Sequence, residues 1–155
     1  MVEDMAKANT ILPFRRRREK KTNYKKRLAL LKSNKPRLVV RKSNRYITVQ
    51  LITFHEKGDI THVTIGKKQL ANYGWQMKCN SPSAYLAGYV AGKIAIKKGF
   101  KEAVLDIGLH TPKKGSLVFA AAKGAIDAGL NIPFSAEIDE DRAKGKHLGL
   151  YEKFE

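Results

Sequence analysis

The chain has 155 residues, of which 31 are lysine or arginine and 14 are aspartate or glutamate, so its formal net charge is +17. An apolar fraction of 43% excludes a wholly disordered chain, and a single cysteine excludes an intrachain disulfide and a multi-cysteine metal site. No apolar run reaches the roughly 18 residues of a membrane span. The N-terminus also lacks the apolar stretch of a secretory signal.

The positive charge is concentrated at the front of the chain, where residues 1–45 contain 16 basic and only three acidic residues. Self-repulsion makes such a segment costly unless an anion lies opposite it, and neutralised phosphates release condensed counterions. We therefore expect a nucleic-acid partner; a solvated tail or a localisation signal is the alternative. The candidate RNA-binding residues of this arm are Arg15, Arg16, Arg17, Arg18, Lys20, Lys21, Lys25, Lys26 and Arg27.

The first predicted element is a short basic helix over residues 22–32. Two signals indicate this helix. Thr22 or Asn23 can cap its N-terminus, and an apolar stripe runs along it at helical spacing, formed by Tyr24, Leu28 and Leu31. After a turn at 33–36, an apolar run and then two segments of alternating residues predict three strands joined by short turns, and hence an antiparallel meander. The predicted strands cover residues 37–42, 45–54 and 60–65.

The middle of the chain predicts a long helix over residues 81–98, with Ser81 as its cap and Gly99 as its stop. Its core stripe is predicted to be Leu86, Val90 and Ile94. Gly88 and Gly92 predict a close approach of the helix backbone to the sheet. Residues 66–80 have no clear pattern, and three side chains are expected to anchor them to the core: Leu70, Tyr73 and Trp75.

The last part of the chain predicts a buried parallel strand at 103–107, a loop at 108–115 and an alanine-rich helix from a Ser116 cap to about residue 128. An acidic stretch follows and is expected to hold a short final helix. The predicted fold is α/β, with a mixed four-stranded sheet, packed helices and a basic N-terminal arm. The predicted divisions are an arm at 1–34, an RNA-binding domain at 35–134 and a C-terminal tail at 135–155.

The tip of the first predicted hairpin combines guanidinium, hydroxyl and amide groups with the ring of Tyr46. Its candidate RNA-binding residues are Arg41, Lys42, Ser43, Asn44 and Arg45. Such a mixture is typical of sites for single-stranded or looped RNA. The alternative is a polar turn whose charges prevent edge-to-edge aggregation.

The loop before the last long helix is a candidate phosphate site, because a helix N-terminus preceded by glycine attracts anions. Six residues separate Gly108 from Gly115, and Lys114 precedes that glycine, so the spacing is not that of a nucleotide-hydrolysing loop. An ordinary strand-to-helix connection remains the alternative. The candidate RNA-binding residues here are His110, Thr111, Lys113, Lys114 and Ser116.

Catalysis is not expected. Asp106, His110 and Ser116 lie close in sequence, but nothing marks an exposed nucleophile elbow or an oxyanion hole. The remaining histidines are scattered without metal-ligand spacing: His55, His62 and His147. We therefore predict no metal and no cofactor.

Four segments follow one another in a distinctive order: Pro13-Phe14-Arg15-Arg16-Arg17-Arg18-Glu19, Lys35-Pro36-Arg37-Leu38-Val39-Val40-Arg41-Lys42-Ser43-Asn44, Ala84-Tyr85-Leu86-Ala87-Gly88 and Asp106-Ile107-Gly108-Leu109-His110-Thr111-Pro112-Lys113-Lys114-Gly115-Ser116. Over about residues 13–135 the chain thereby resembles the large-subunit ribosomal protein family that binds 5S ribosomal RNA, universal family eighteen in its archaeal and eukaryotic form.

The resemblance implies a three-layer fold and a structural role in the cytoplasmic ribosome, with no membrane and no small-molecule substrate. The implied partners are 5S ribosomal RNA, large-subunit ribosomal RNA and neighbouring ribosomal proteins of the central protuberance. The arm, the hairpin and the loop would contact RNA. Relatives usually have a longer C-terminal extension than this chain.

Two other classes of function remain open at this stage. A DNA-compacting protein or general nucleic-acid chaperone would bind any duplex with similar affinity. A nucleotide hydrolase using the loop at Gly108 would release phosphate from a nucleoside triphosphate.

Overall fold

A computed structural model describes residues 11–135 and 137–146. The other parts of the predicted arm and tail, and His147, lie outside the described residues. The elements, in chain order, are α1 (Arg15–Arg18), α2 (Tyr24–Leu31), β1 (Arg37–Lys42), β2 (Ile47–Thr53), β3 (Ile60–Ile65), α3 (Lys67–Ala71), α4 (Ser81–Lys97), β4 (Val104–Asp106), α5 (Leu117–Asp127) and α6 (Glu140–Ala143).

The four strands form one mixed sheet in the order β3-β2-β1-β4. The pairs β1–β2 and β2–β3 are antiparallel, and β4 runs parallel to β1, with Leu38 opposite both Leu51 and Leu105. This confirms the predicted meander with one parallel strand. β2 begins at Ile47, later than predicted, because the Ser43 amide donates to the Tyr46 carbonyl at 2.8 Å and closes the hairpin turn.

One face of the sheet forms the core under α4 and α5. Its side chains are fully buried and alternate along the strands as the sequence predicts for β2: Leu38, Val40, Ile47, Val49 and Leu51. The intervening residues of β1 point to the opposite face, where Arg37 and Val39 are also buried. A second layer must therefore cover that face.

The second layer comes from α2, which a chain of ion pairs ties to the sheet. Arg27 of α2 bonds Asp59 at 2.8 Å, and Asp59 bonds Arg37 of β1 at 2.6 Å. The predicted stripe of α2 is not its covered face, since Leu28 is 57% exposed. The sheet thus lies between α2 on one side and the α4–α5 pair on the other, which confirms the expected three layers.

The α4–α5 pair is packed through small residues at backbone-to-backbone distance. A Cβ added at Gly88 would lie 1.8 Å from the carbonyl oxygen of Ala121, and one at Gly124 would lie 2.1 Å from that of Tyr85. The glycines of α4 therefore face α5, and the predicted approach to the sheet is wrong. The fully buried face of α4 consists of alanines, while the predicted core stripe, Leu86, Val90 and Ile94, is only partly buried.

The remaining predictions about helix ends and core anchors are confirmed in part. The side chain of Asn80, one residue before Ser81, caps α4 by accepting from the Ser83 amide at 3.1 Å. Gly99 ends that helix with a positive φ of 86°. Leu70 and Trp75 are buried as expected, but Tyr73, which follows the short helix α3, is 63% exposed, so the prediction that it anchors the segment to the core is wrong.

Substituting Gly88→Ala is expected to lower the free energy of unfolding by about 3 kcal/mol or more, the upper end of the usual cost of overpacking. The cause is the backbone carbonyl of Ala121, which cannot move without displacing α5. Urea denaturation followed by circular dichroism measures this change.

The control is Gly66→Ala, where an added Cβ meets nothing closer than the Gln69 Oε1 atom at 3.5 Å. That variant should lose about 1 kcal/mol or less, since only the helix N-cap preference changes. Equal losses in the two variants would contradict the close approach of α4 and α5.

Candidate nucleic-acid interface

The arm presents its cations on two short helices. All four arginines of α1 are exposed, and Asn23 caps α2 by accepting from the Lys26 amide at 3.1 Å. The Arg16 Nε atom donates to the Thr22 hydroxyl at 2.8 Å, which links α1 to the start of α2. The arm therefore contains a second helix, α1, in addition to the predicted one, and a side-chain hydrogen bond joins the two.

Glu19 is the acidic side chain within the described arm. It accepts from Arg15 at 2.7 Å and from Lys21 at 2.8 Å, and these hydrogen bonds lower the pKa of Glu19 below its ordinary value. Within the part of the chain that the structure describes, no acidic side chain pairs with Arg17, Arg18, Lys20, Lys25 or Lys26. The arm thus retains most of its uncompensated charge for an external anion.

A buried ion cluster lies where the arm meets the sheet. Arg37, only 3% exposed, bonds Asp106 at 3.0 Å and Asp59 at 2.6 Å. Burial would raise the pKa of Asp59, but hydrogen bonds and charges from Arg27 and Arg37 outweigh it, so that pKa lies below its ordinary value. With Arg41 also bound to Asp106, the cluster holds three arginines against two aspartates and stays positive.

Arg41 connects this cluster to the loop after β4. Its guanidinium donates to the Asp106 carbonyl at 2.8 Å and to the Asp106 carboxylate at 3.0 Å. The same carboxylate accepts from the Gly108 amide at 2.9 Å. Gly108 has a φ of 62°, and a Cβ there would lie 2.8 Å from the Arg41 guanidinium carbon, so a larger residue would displace the arginine. Arg41 is therefore partly structural, though its side chain is 44% exposed.

These elements enclose a groove of about 1020 Å³ between the arm and the loop. It brings together residues that lie far apart in sequence, and its basic and acidic lining consists of Arg16, Lys21, Lys26, Arg27, Arg41, Asp106 and His110. Burial first, and then the positive charges of Lys42 and Arg41, lower the pKa of His110 below its ordinary value. These effects favour the neutral imidazole, which has one donor and one acceptor nitrogen.

The hairpin tip is exposed and rigidly closed. The Ser43 hydroxyl accepts from the Tyr46 amide at 3.0 Å, and the Cys79 thiol donates to the Ser43 carbonyl at 3.3 Å. Ser43 thus holds the turn, while Lys42, Asn44 and Arg45 project from an exposed surface.

The remaining loop residues lie outside the groove lining. Thr111, Lys113 and Lys114 are exposed, and Lys114 pairs with Glu137 at 2.8 Å in an ion pair open to solvent. Ser116 occupies the N-cap of α5 as predicted, but its hydroxyl makes no capping hydrogen bond. A phosphate contact at this helix start stays a prediction.

Sequence reasoning did not identify the acidic half of the cluster. Asp106 drew notice only as a member of a triad, yet its carboxylate bonds Arg37, Arg41 and the Gly108 amide. Asp59 falls between the predicted strands at 45–54 and 60–65, where no pattern marks it as a buried partner. One signal in the sequence could have pointed to the cluster. Arg37 begins a strand with apolar residues on both faces, so it is a candidate for burial and would then need acidic partners.

The described residues give no basis for a metal centre or a membrane span. No group of three or more histidine, cysteine, aspartate or glutamate side chains among them could hold a metal ion. None of the helices in the same residues is long and apolar enough to cross a bilayer.

The fold and the groove define a class: a strongly basic α/β protein whose arm and loop line one groove. Residues 11–103 and 93–135 match the family model described as "Ribosomal large subunit proteins 60S L5, and 50S L18". The chain belongs to this family of large-subunit ribosomal proteins, which are structural proteins and not enzymes. The family resemblance expected from the sequence is thereby confirmed.

Two curated relatives carry the name "Large ribosomal subunit protein uL18". The one from Haloquadratum walsbyi is 52% identical over 143 residues, covering 90% of this chain and 70% of its own length. The one from Korarchaeum cryptofilum is 53% identical over 146 residues, covering 92% of this chain and 75% of its own length.

Replacing Asp106 by alanine is expected to lower the free energy of unfolding by about 3–5 kcal/mol, because it removes one partner from a buried ion pair. Arg37 would then face Arg41 with only Asp59 to compensate it. Thermal and urea unfolding measure the loss.

Glu102→Ala is the matched control, since its pair with Lys35 is about half exposed on both sides. Exposed pairs contribute about 0–1 kcal/mol. An Asp106→Ala protein as stable as the control variant would show that the cluster does not hold the arm and sheet together.

Proposed function

We propose that this chain binds 5S ribosomal RNA and helps to attach it to large-subunit ribosomal RNA in the central protuberance of the cytoplasmic ribosome, beside neighbouring ribosomal proteins. The observation that carries the proposal is the shared groove, in which cations from the arm and from β1 meet the His110 imidazole of the loop after β4. Membership of the large-subunit ribosomal family and the resemblance to its 5S-binding members support this choice of RNA.

The arm would supply most of the phosphate contacts. Arginine offers a planar fork of donors to phosphate and lysine a mobile point charge. The arm residues proposed for this role are Arg15, Arg16, Arg17, Arg18, Lys20, Lys21, Lys25 and Lys26. Because few of them have an acidic partner, little intramolecular pairing must be broken when RNA arrives.

The groove walls would position the RNA. Asp59 and Asp106 hold Arg27 and Arg41 in place, and the cluster keeps a net positive charge that a phosphate can neutralise. Charges fixed in advance lose less conformational entropy on binding than free side chains do. The hairpin tip and loop would extend the contact through Lys42, Ser43, Asn44, Arg45, His110, Thr111, Lys113, Lys114 and Ser116.

Competition among 5S RNA, transfer RNA and duplex DNA at physiological salt tests the proposal. We expect 5S RNA to displace both competitors. If roughly six to ten phosphates are neutralised, affinity should fall by about three to five decades between about 50 and 200 mM salt. Similar affinities for all three nucleic acids would instead support a general nucleic-acid chaperone.

A double variant, Arg17→Gln with Arg18→Gln, separates the arm from the rest of the positive surface. If each arginine neutralises one phosphate, 5S RNA binding should weaken, and the slope of log affinity against log salt should become shallower by roughly 0.7–0.9 per contact. Filter binding or fluorescence anisotropy over a salt series measures both quantities.

The control for this experiment changes the same amount of charge elsewhere. Lys97 and Lys101 are exposed at and beyond the end of α4 and do not line the groove. Their substitution by glutamine should leave the slope for 5S RNA unchanged. Equal effects of the two double variants would show that only net charge, and not the arm, determines binding.

A further inference from the structure

We propose that Phe14 and Tyr24 form a stacking site for an unpaired base of the bound RNA. The two ring centroids lie 5.7 Å apart at an interplanar angle of 52°. This inference rests on the proposed function, because it specifies which part of an RNA the arm recognises besides its phosphates.

The exposure of these rings is the first observation behind the inference. Phe14 is 75% exposed and Tyr24 is 36% exposed, and Leu28, one turn further along α2, is 57% exposed. The arm thus presents three exposed apolar side chains that are not part of the core, two of them in ring contact. Exposed apolar surface of this kind, surrounded by polar residues, marks a binding surface.

The backbone at both rings is held by hydrogen bonds, which favours a prepared site. The Phe14 carbonyl accepts from the amides of Arg17 and Arg18 at 2.9 and 3.0 Å, at the start of α1. Tyr24 directly follows Asn23, whose side chain caps α2. The rings therefore meet because two helix starts fix them, and a base would not have to order them.

The positive charges around the two rings favour a nucleotide as the ligand. Arg15–Arg18 directly follow Phe14, and Lys25 and Lys26 follow Tyr24, while Tyr24 itself lines the groove beside Arg16. A nucleotide carries a flat base and an anionic phosphate on one unit, so its base can lie on the Phe14 ring while its phosphate meets the neighbouring arginines. Unpaired RNA bases are bound in this way, and stacking tolerates any base.

Phe14→Leu removes the ring and keeps an apolar side chain. Base stacking on one aromatic ring typically corresponds to about 5- to 150-fold in affinity. We expect a loss of that order for 5S RNA, with the salt slope unchanged because no phosphate contact is removed. Phe14→Trp should retain or strengthen binding, and Tyr73→Leu, which removes an exposed ring outside the arm, should have no effect.

Two measurements test the stacking site: the RNA affinity of each variant by fluorescence anisotropy over a salt series, and the stability of each variant by urea unfolding. The exposed Phe14 side chain predicts unchanged unfolding, so a weaker complex would not reflect a damaged fold. Unchanged RNA affinity of Phe14→Leu would overturn the stacking site and leave the rings to a protein partner. A loss accompanied by a shallower salt slope would also overturn it. The preference of the parent protein for 5S RNA over its competitors tests the proposed function separately.

Discussion

The buried guanidinium of Arg37 is the group on which the arrangement of the interface depends. It lies on the sheet face opposite the core and binds Asp59 and Asp106, which come from the β2–β3 turn and from β4. Those two carboxylates in turn bind Arg27 of α2 and Arg41 of β1. Because a charge this deeply buried must be paired, Asp59 and Asp106 are held beside Arg37, and Asp59 is thereby placed where it binds Arg27 of α2.

The cluster also carries an energetic cost and a net charge. The Nε atom of Arg37 is buried and lacks a hydrogen-bond partner among the described residues, which costs about 1–3 kcal/mol. Its arginines outnumber its aspartates, so the region favours an anion even though its charges are largely paired with one another. Under the proposed function, stability and RNA affinity would be linked here, since the carboxylates that bind Arg37 also bind Arg27 and Arg41, which line the groove.

Much of the architecture was predictable because its signals are local. The strands β1 and β3 and the stop of α4 at Gly99 follow from alternation and from glycine at a positive φ, and the structure confirms them. The parallel strand β4 followed from a short apolar run after a helix. Several wrong predictions concern which neighbour a residue faces: Gly88 and Gly92 approach α5 instead of the sheet, and Tyr73 is exposed to solvent. Periodicity locates the faces of a helix but does not say which neighbour each face meets.

For the interface, the sequence alone determined the sign, the amount and the location of the charge, because composition and spacing are properties of the chain itself. It also determined the family, through ordered segments that the family match bears out. Only the tertiary structure decided which charges remain available. Arg27 and Arg41 proved to be bound to carboxylates 32 and 65 residues away, and no local pattern encodes such a pairing. Their partners are brought within reach only when the sheet and the loop after β4 assemble.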